Sequence, residues 1–413
     1  MDPDFREMLS PADADALLAA AMPRYAPVTL PLSKCQGRIL RAPILADRAQ
    51  PPFDRVAMDG IAFAFASWEQ GLRRFRLEGM QKAGEPAKLL KRADGCLEAM
   101  TGAVLPQGAD CIMPVEEIRI EDGHAVLSEQ APDAVPFRFV HRAGLDCAAG
   151  ETLVPAGTFL DAARLGAAAA FGYAELRVAP EPFVAVVSTG DELVDVGRDP
   201  RPHQIRKSNP YAVEAALRKR RFERVALLHS RDDAARLRKC LEGVMGKCEV
   251  LILTGGVSMG KTDYVPGVLR ELGVRPVFHK ILQKPGKPFW FGVGAGGTPV
   301  FGLPGNPASV LVCLHRYVLP ALTLAMGAET IEGSIARAWS PAALSQGAAA
   351  SGKLTHFRPV TCGWDAEGRM RAEWVANQGS GDFSGWSKAD GFVELGAGDA
   401  PWEAGRVVPL WRW

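Results

Sequence analysis

Between Phe183 and about residue 325, short apolar runs alternate with charged, helix-like segments. Phe183–Ser188, Val225–His229, Val250–Leu253, Trp290–Val293 and Val300–Leu303 are four to six residues long and rich in branched and aromatic side chains. Runs of that length and composition predict buried strands. Helices are predicted from Pro210, from Asp232, after Asp263 and from Pro307. The alternation implies an α/β domain with a largely parallel sheet, whose sites sit at the C-terminal ends of its strands. The most apolar long stretch, Val310 to Ala328, contains His315, Arg316 and Pro320. It reads as a buried helix rather than a membrane span.

The flanking regions have a different texture. Ser10-Pro11-Ala-Asp opens an early helix, with serine as cap, proline in the first turn and aspartates at the positive end of the dipole. Residues 27 to about 145 are short runs broken by Pro and Gly, as at Pro51-Pro52-Phe53-Asp54 and Asp122-Gly123, which predicts an irregular β-rich region. After about residue 330, Lys353–Val360, Met370–Val375, Phe392–Leu395 and Val407–Leu410 predict a small β domain. The expected organisation is a multidomain α+β chain: a two-part N-terminal region, helical then irregular β-rich, over residues 1–180, the α/β domain over 181–329, and the β domain over 330–413.

Composition narrows the partners. The 413 residues carry 48 Lys+Arg against 47 Asp+Glu, a net charge of +1, so no global field attracts nucleic acid or a membrane. Anion binding must therefore be local. The eight cysteines (35, 96, 111, 147, 240, 248, 313 and 362) form no C-x-x-C pair and read as buried thiols in a reducing compartment. The acidic start Met-Asp-Pro-Asp is unlike an export signal, and a cytoplasmic location is expected.

The clearest local site follows the strand at Val250–Leu253, in Thr254-Gly255-Gly256-Val257-Ser258-Met259-Gly260-Lys261-Thr262-Asp263. Its glycines let the backbone approach an anion and turn N–H groups inward, and the next helix adds its positive end. Gly255 through Thr262 also spells the P-loop pattern G-x-x-x-x-G-K-[ST]. Pro266 weighs against that reading, because it would break a helix begun at Lys261, whereas a later start capped by Asp263 places it in the tolerated first turn. A P-loop ATPase or phosphotransferase, another phosphate-handling protein and a structural glycine turn are the three readings of this segment.

Polar loops follow other strands. Thr189-Gly190-Asp191-Glu192 suits an anion site or a capped helix start. Asn209-Pro210 and Asn306-Pro307 read as cap-plus-proline helix starts, and Pro304-Gly305-Asn306-Pro307 makes a rigid turn with free N–H groups. Lys280, Lys284 and Lys287 share a loop stiffened by Pro285 and Gly286. Asp191, Glu192 and Asp263 facing those lysines would suit a phosphoanhydride with magnesium.

Seven blocks in one order then resemble the molybdopterin molybdenumtransferases, MoeA and the E domain of gephyrin. They are Pro52 to Gly60 (Pro-Phe-Asp-Arg-Val-Ala-Met-Asp-Gly), Thr101-Gly102 with Leu105 to Asp110, Gly144 to Asp146, Thr189 to Leu193, Thr254 to Ser258, Lys284 to Pro288, and Leu303 to Pro307. The blocks span nearly the whole chain. The resemblance implies an enzyme of molybdenum cofactor synthesis that takes adenylyl-molybdopterin and molybdate, cleaves the phosphoanhydride with Mg²⁺ and releases AMP. Carried over by position, it implies catalytic roles for Asp59, Thr101, Asp146, Glu192, Asp232, Asp263, Lys280 and Lys284, with Asp59, Glu192 and Asp263 as metal ligands. Substrate contacts are implied at Thr189, Gly190, Gly255, Gly256, Ser258, Lys287, Pro304, Gly305 and Asn306, and at Arg358 and Ser380 in the more divergent C-terminal domain.

The same resemblance implies a homodimer in which the Asp59 and Thr101 loop of one chain completes the partner's site. A molybdopterin adenylyltransferase and recipient molybdoenzymes are the expected protein partners, with no nucleic acid and no membrane. The chain departs from the family pattern at Arg55-Val56, at Ile61, where a hydroxyl is expected near the active loop, and at Met259. A non-catalytic scaffold on the same fold is the remaining alternative. Retention of Asp59, Glu192, Asp263 and Lys284 argues against it, since pure binding gives no reason to keep them all.

Overall fold

The computed structural model describes residues 6–257, 264–328 and 339–413. The chain divides into two compact units, one of Met1–Ala42, Ala156–Ala162 and Glu175–Trp413, the other of Pro43–Pro155 and Ala163–Ala174.

The first unit is built on a seven-stranded sheet. Pro299–Leu303, Val250–Thr254, Val184–Thr189 and Val225–Ser230 lie side by side and parallel. Trp290–Val293 runs antiparallel between Pro299–Leu303 and Arg275–Ile281. The sequence did not announce the last strand: Arg6–Leu9 pairs parallel with Arg275–Ile281 at the sheet edge.

Successive side chains of a strand face opposite ways. Val184 and Val186 accordingly join the cluster under Leu217, Tyr317 and Leu322, while Ala185 and Val187 join the opposite cluster with Leu237, Leu241 and Leu269. Burial on both faces explains why these strands read as unbroken apolar runs rather than alternating ones. Helices Asn209–Lys219, Ala234–Val244 and Val265–Glu271 follow their strands. The early helix, Pro11–Ala21, opens with Ser10 accepting from the Asp13 N–H while the Asp13 carboxylate faces the Ser10 backbone.

Pro307–Ala325 is long and apolar enough to cross a membrane by composition, but 89% of its most apolar window is buried inside the fold. A π-helical turn at Leu314–Val318 interrupts it. That turn carries Arg316, whose guanidinium bonds Asp15 at 2.8 Å and Glu394 at 2.8 Å. The only charge in the helix interior is thereby paired from two directions.

The C-terminal strands close on themselves. Thr355–Trp364, Met370–Trp374, Trp339–Leu344, Val407–Arg412 and Gly391–Leu395 pair in that order, and Gly391–Leu395 returns to Thr355–Trp364, making a small barrel. Gln283–Lys284 adds to it in parallel beside Thr355 and His356. The lysine loop of the α/β sheet is thus stitched to a barrel strand.

The second unit holds a six-stranded sheet with a core of Ile61, Phe63, Phe75, Cys96 and Met113. Ile61 is fully buried there, so this departure from the family pattern lies in packing rather than on an active loop. All eight cysteines are free; six are buried, while Cys240 and Cys362 are half-buried.

Candidate active site

Two adjoining pockets open where the parallel strands end. The first, of about 530 Å³, is walled by Thr189, Gly190 and Glu192, by Thr254 to Val257, by Pro304 to Pro307, and by Asp232. The glycines are required by geometry. Gly255 and Gly256 have φ of +93° and +66°, and a Cβ on Gly255 would stand 2.7 Å from the Thr189 carbonyl oxygen. Only glycine adopts that backbone without strain. A Cβ built on Gly305 would stand 3.7 Å from the Gly255 Cα, so the two loops lie close together. His279 Nε2 donates to the Val257 carbonyl at 2.9 Å and anchors the glycine loop from below.

Asparagines act differently from the caps expected of them. Asn306 precedes its helix but makes no side-chain cap bond; its amide donates to Ser380 Oγ at 3.0 Å. Asn209 lies inside its helix, where Ser208 is the cap residue, and donates to the Gly305 carbonyl at 2.7 Å. Both amides lock the Pro304–Pro307 turn in place instead of terminating helices. Thr189-Gly190 begins no helix either: the chain turns and pairs Leu193–Val194 with Ile205–Arg206.

Asp232 accepts from the Thr189 hydroxyl at 2.5 Å. Glu192 folds back over Gly190, its carboxylate 2.7 Å from where a Gly190 Cβ would lie. Two carboxylates on the wall of an anion pocket are the donors Mg²⁺ takes when substrate phosphates complete its shell. Among the described residues no three His, Cys, Asp or Glu side chains converge on one point. Ser258 and Asp263 lie outside the described residues.

The second pocket, of about 610 Å³, is lined by Lys284, Lys287, Arg358, His356, Ser309 and Ser380, and shares Pro304, Asn306 and Pro288 with the first. Among the described residues no carboxylate lines it. The His356 imidazole is held below its usual pKa, first by burial and then by the Arg358 and Lys284 charges, so it is neutral at pH 7. Three fixed cations with two hydroxyls and no acid suit a small oxyanion.

The expected lysine cluster therefore splits. Lys284 and Lys287 enter the second pocket, whereas Lys280, at φ +70°, lies outside both and points its ammonium to 3.8 Å from Glu7 of the edge strand. Asp191 lines neither pocket, and Glu192 lies in the first rather than opposite the lysines. In the second unit Asp59 and Thr101 do meet. Asp59 Oδ1 accepts from the Thr101 N–H at 2.7 Å and hydroxyl at 2.9 Å. Those bonds hold its carboxyl below the usual range. Asp146 of that unit bonds His141 Nε2 at 2.7 Å instead.

Ser309, His356, Arg206 and Lys207 line the pockets without having been singled out from sequence. Ser309 lies two residues beyond the Leu303–Pro307 block and was within reach; the other three carry no motif.

Glycine loops at parallel strand ends, a carboxylate pair and an adjoining cationic pocket are features suited to anionic ligands. Comparison with known proteins makes this specific. Residues 9–172 match the MoeA N-terminal region (domain I and II), 185–324 the probable molybdopterin binding domain, and 341–413 the MoeA C-terminal region (domain IV). A molybdopterin molybdenumtransferase of Synechocystis is 37% identical over 98% of this chain and 100% of its own length. That of Haemophilus influenzae is 30% identical over 92% of each. A crystal structure of a molybdopterin biosynthesis MoeA protein from Pyrococcus horikoshii superposes with a TM-score of 0.77 at 29% identity, covering 98% of this chain and 99% of that one. The chain belongs to the MoeA family of molybdopterin molybdenumtransferases, enzymes of molybdenum cofactor biosynthesis.

Proposed function

We propose that this enzyme inserts molybdenum from molybdate into adenylyl-molybdopterin, cleaving the phosphoanhydride and releasing AMP. The observation that carries the reading is the pair of adjoining pockets, one glycine-walled and the other bearing Lys284, Lys287 and Arg358, which share Pro304 and Asn306. The glycine-walled pocket takes the phosphoanhydride on the N–H groups of its loops, and Lys284, Lys287 and Arg358 take molybdate. One oxo ligand of molybdate leaves as water with the two thiol protons as the dithiolene sulfurs bind molybdenum, and hydrolysis of the anhydride releases the adenylyl half as AMP while the other phosphate stays on the pterin. Asp232, held by Thr189, orients the water that attacks phosphorus and accepts its proton. Glu192 and Asp263, with the Asp59 loop contributed by the other chain of the proposed dimer, would hold Mg²⁺, which would neutralise charge on the phosphate oxygens.

The test is direct. Purified protein given adenylyl-molybdopterin, Mg²⁺ and molybdate should yield AMP and a cofactor that activates an apo-molybdoenzyme. Lys284→Ala and Arg358→Ala should raise the molybdate concentration needed for half-maximal insertion. AMP formation that does not depend on this protein, or insertion indifferent to both variants, would sink the reading.

The family resemblance also supports a homodimer fed by an adenylyltransferase and emptied by recipient molybdoenzymes. In a two-fold dimer each chain contributes one half of each site. Exchange of subunits between inactive Asp59→Ala and Glu192→Ala proteins should then restore roughly a quarter of the sites, since about half the dimers are mixed and each mixed dimer has one intact site. No recovery in verified heterodimers refutes site sharing.

A further inference from the structure

Among the described residues the glycine-bearing loops of this pocket, Thr254 to Val257 and Pro304 to Pro307, carry no cation, and Glu192 and Asp232 make its wall acidic. Among the described residues, the only basic side chains lining it are Arg206 and Lys207. We infer that Lys207 is a direct ligand of the substrate phosphate in this pocket, an inference that rests on the assignment of the phosphoanhydride to it.

Four features single out Lys207. Its backbone is fixed, with the N–H donating to the Val194 carbonyl at 2.9 Å where Ile205–Arg206 pairs with Leu193–Val194. Its side chain is only 17% exposed, against 49% for Arg206, whose guanidinium is spent on the Arg198 carbonyl at 3.1 Å and near Asp199. Its one partner, Asp195 Oδ1 at 2.8 Å, is 64% exposed. An ammonium has three N–H donors, so two remain for a ligand. Finally, the adjacent Ser208 and Asn209, at the start of the helix Asn209–Lys219, line the same pocket.

With its carboxylate largely exposed, the Asp195–Lys207 pair is open to screening by solvent and salt. A phosphate bearing more charge, in a pocket that excludes part of the solvent, is the stronger acceptor. Lys207 therefore swings from Asp195 to the substrate, offsetting the repulsion that Glu192 and Asp232 would exert on a phosphoanhydride. The competing account makes the Asp195–Lys207 pair a staple for the loop between Val194 and Ile205 and nothing more.

The two accounts diverge when either partner is changed alone. Titration calorimetry of AMP and inorganic pyrophosphate at low salt should show Lys207→Gln binding both ten- to a hundredfold more weakly than the parent, the usual worth of one charge-assisted hydrogen bond. Asp195→Asn frees the lysine and should bind as well as the parent or better. Molybdate binding in the other pocket should be unchanged in both variants, which also reports that they are folded. Equal weakening by the two variants, or no weakening by Lys207→Gln, overturns the inference while leaving the proposed function standing. A parent protein that binds neither AMP nor pyrophosphate overturns both together.

Discussion

Gly286 is the position where fold and site are most tightly tied, and replacing it with alanine should be costly. It has φ of +93°, and a Cβ there would stand 2.6 Å from Gln283 Nε2 and 2.7 Å from Cys313 Sγ. Neither neighbour is free to yield. Gln283 is 1% exposed and its amide donates to the Pro285 carbonyl at 3.1 Å while its oxygen accepts from the Tyr317 hydroxyl; Cys313 is fully buried on the long helix. Placing an L side chain at positive φ costs roughly 1–2 kcal/mol, and overpacking a fixed core adds about 1–3 kcal/mol. Gly286→Ala should therefore lose about 2–5 kcal/mol in urea unfolding, read by tryptophan fluorescence. Cys313→Ala removes the sulfur and should restore about 1 kcal/mol in the Gly286→Ala background, a positive coupling in a double-mutant cycle. Gly305→Ala is the contrast: nothing lies nearer than 3.7 Å, so the fold should be unaffected although the residue lines the glycine-walled pocket. A Gly286→Ala protein within about 1 kcal/mol of the parent would refute the reasoning, because the loop bearing Lys284 and Lys287 would then be held by something other than this packing.

Arg316→Met should cost about 3–5 kcal/mol, since it leaves the Asp15 and Glu394 carboxylates facing each other without their cation; a smaller loss in calorimetric unfolding would show the pair to be better solvated than its burial implies. His356 should titrate below 6.5 in NMR, and molybdate should raise its pKa by cancelling the Lys284 and Arg358 charges. The sign for stability follows: the unfolded chain takes up its proton first as pH falls through 6.5, so His356 weakens the fold below that pH and not above it. ATP should not be turned over, because Val265–Glu271 is seven residues long with Pro266 in its first turn, and Lys261→Ala should leave AMP release nearly unchanged; an ATPase abolished by that substitution would return the P-loop reading.

What the sequence disclosed and what it hid divide along physical lines. Strands buried on both faces, such as Val184–Thr189 and Val250–Thr254, announce themselves because every position must be apolar. The anion loops are legible for a related reason: only glycine tolerates φ of +93° at Gly255, so backbone geometry is written directly into residue type. Arg6–Leu9 was not legible, since an edge strand of four mostly exposed residues bears no apolar pattern and gains its place only through the ladder with Arg275–Ile281.

Side-chain destination was the least legible property of all. Lys280, Lys284 and Lys287 are indistinguishable in type and lie within one short segment, yet Lys284 is drawn toward the barrel by pairing with His356, while the left-handed backbone at Lys280 sends its ammonium to Glu7. Asn306 looks like a cap and instead bonds a serine 74 residues away. Lys207 has the opposite history: an unremarked residue between an arginine and a serine becomes the least exposed cation of an acidic pocket, because a two-residue ladder turns it inward. In each case the deciding contact comes from a distant part of the chain. A family motif can nominate such residues by position, but the charge that a phosphate meets is set by which lysines the tertiary ladders leave facing the pocket.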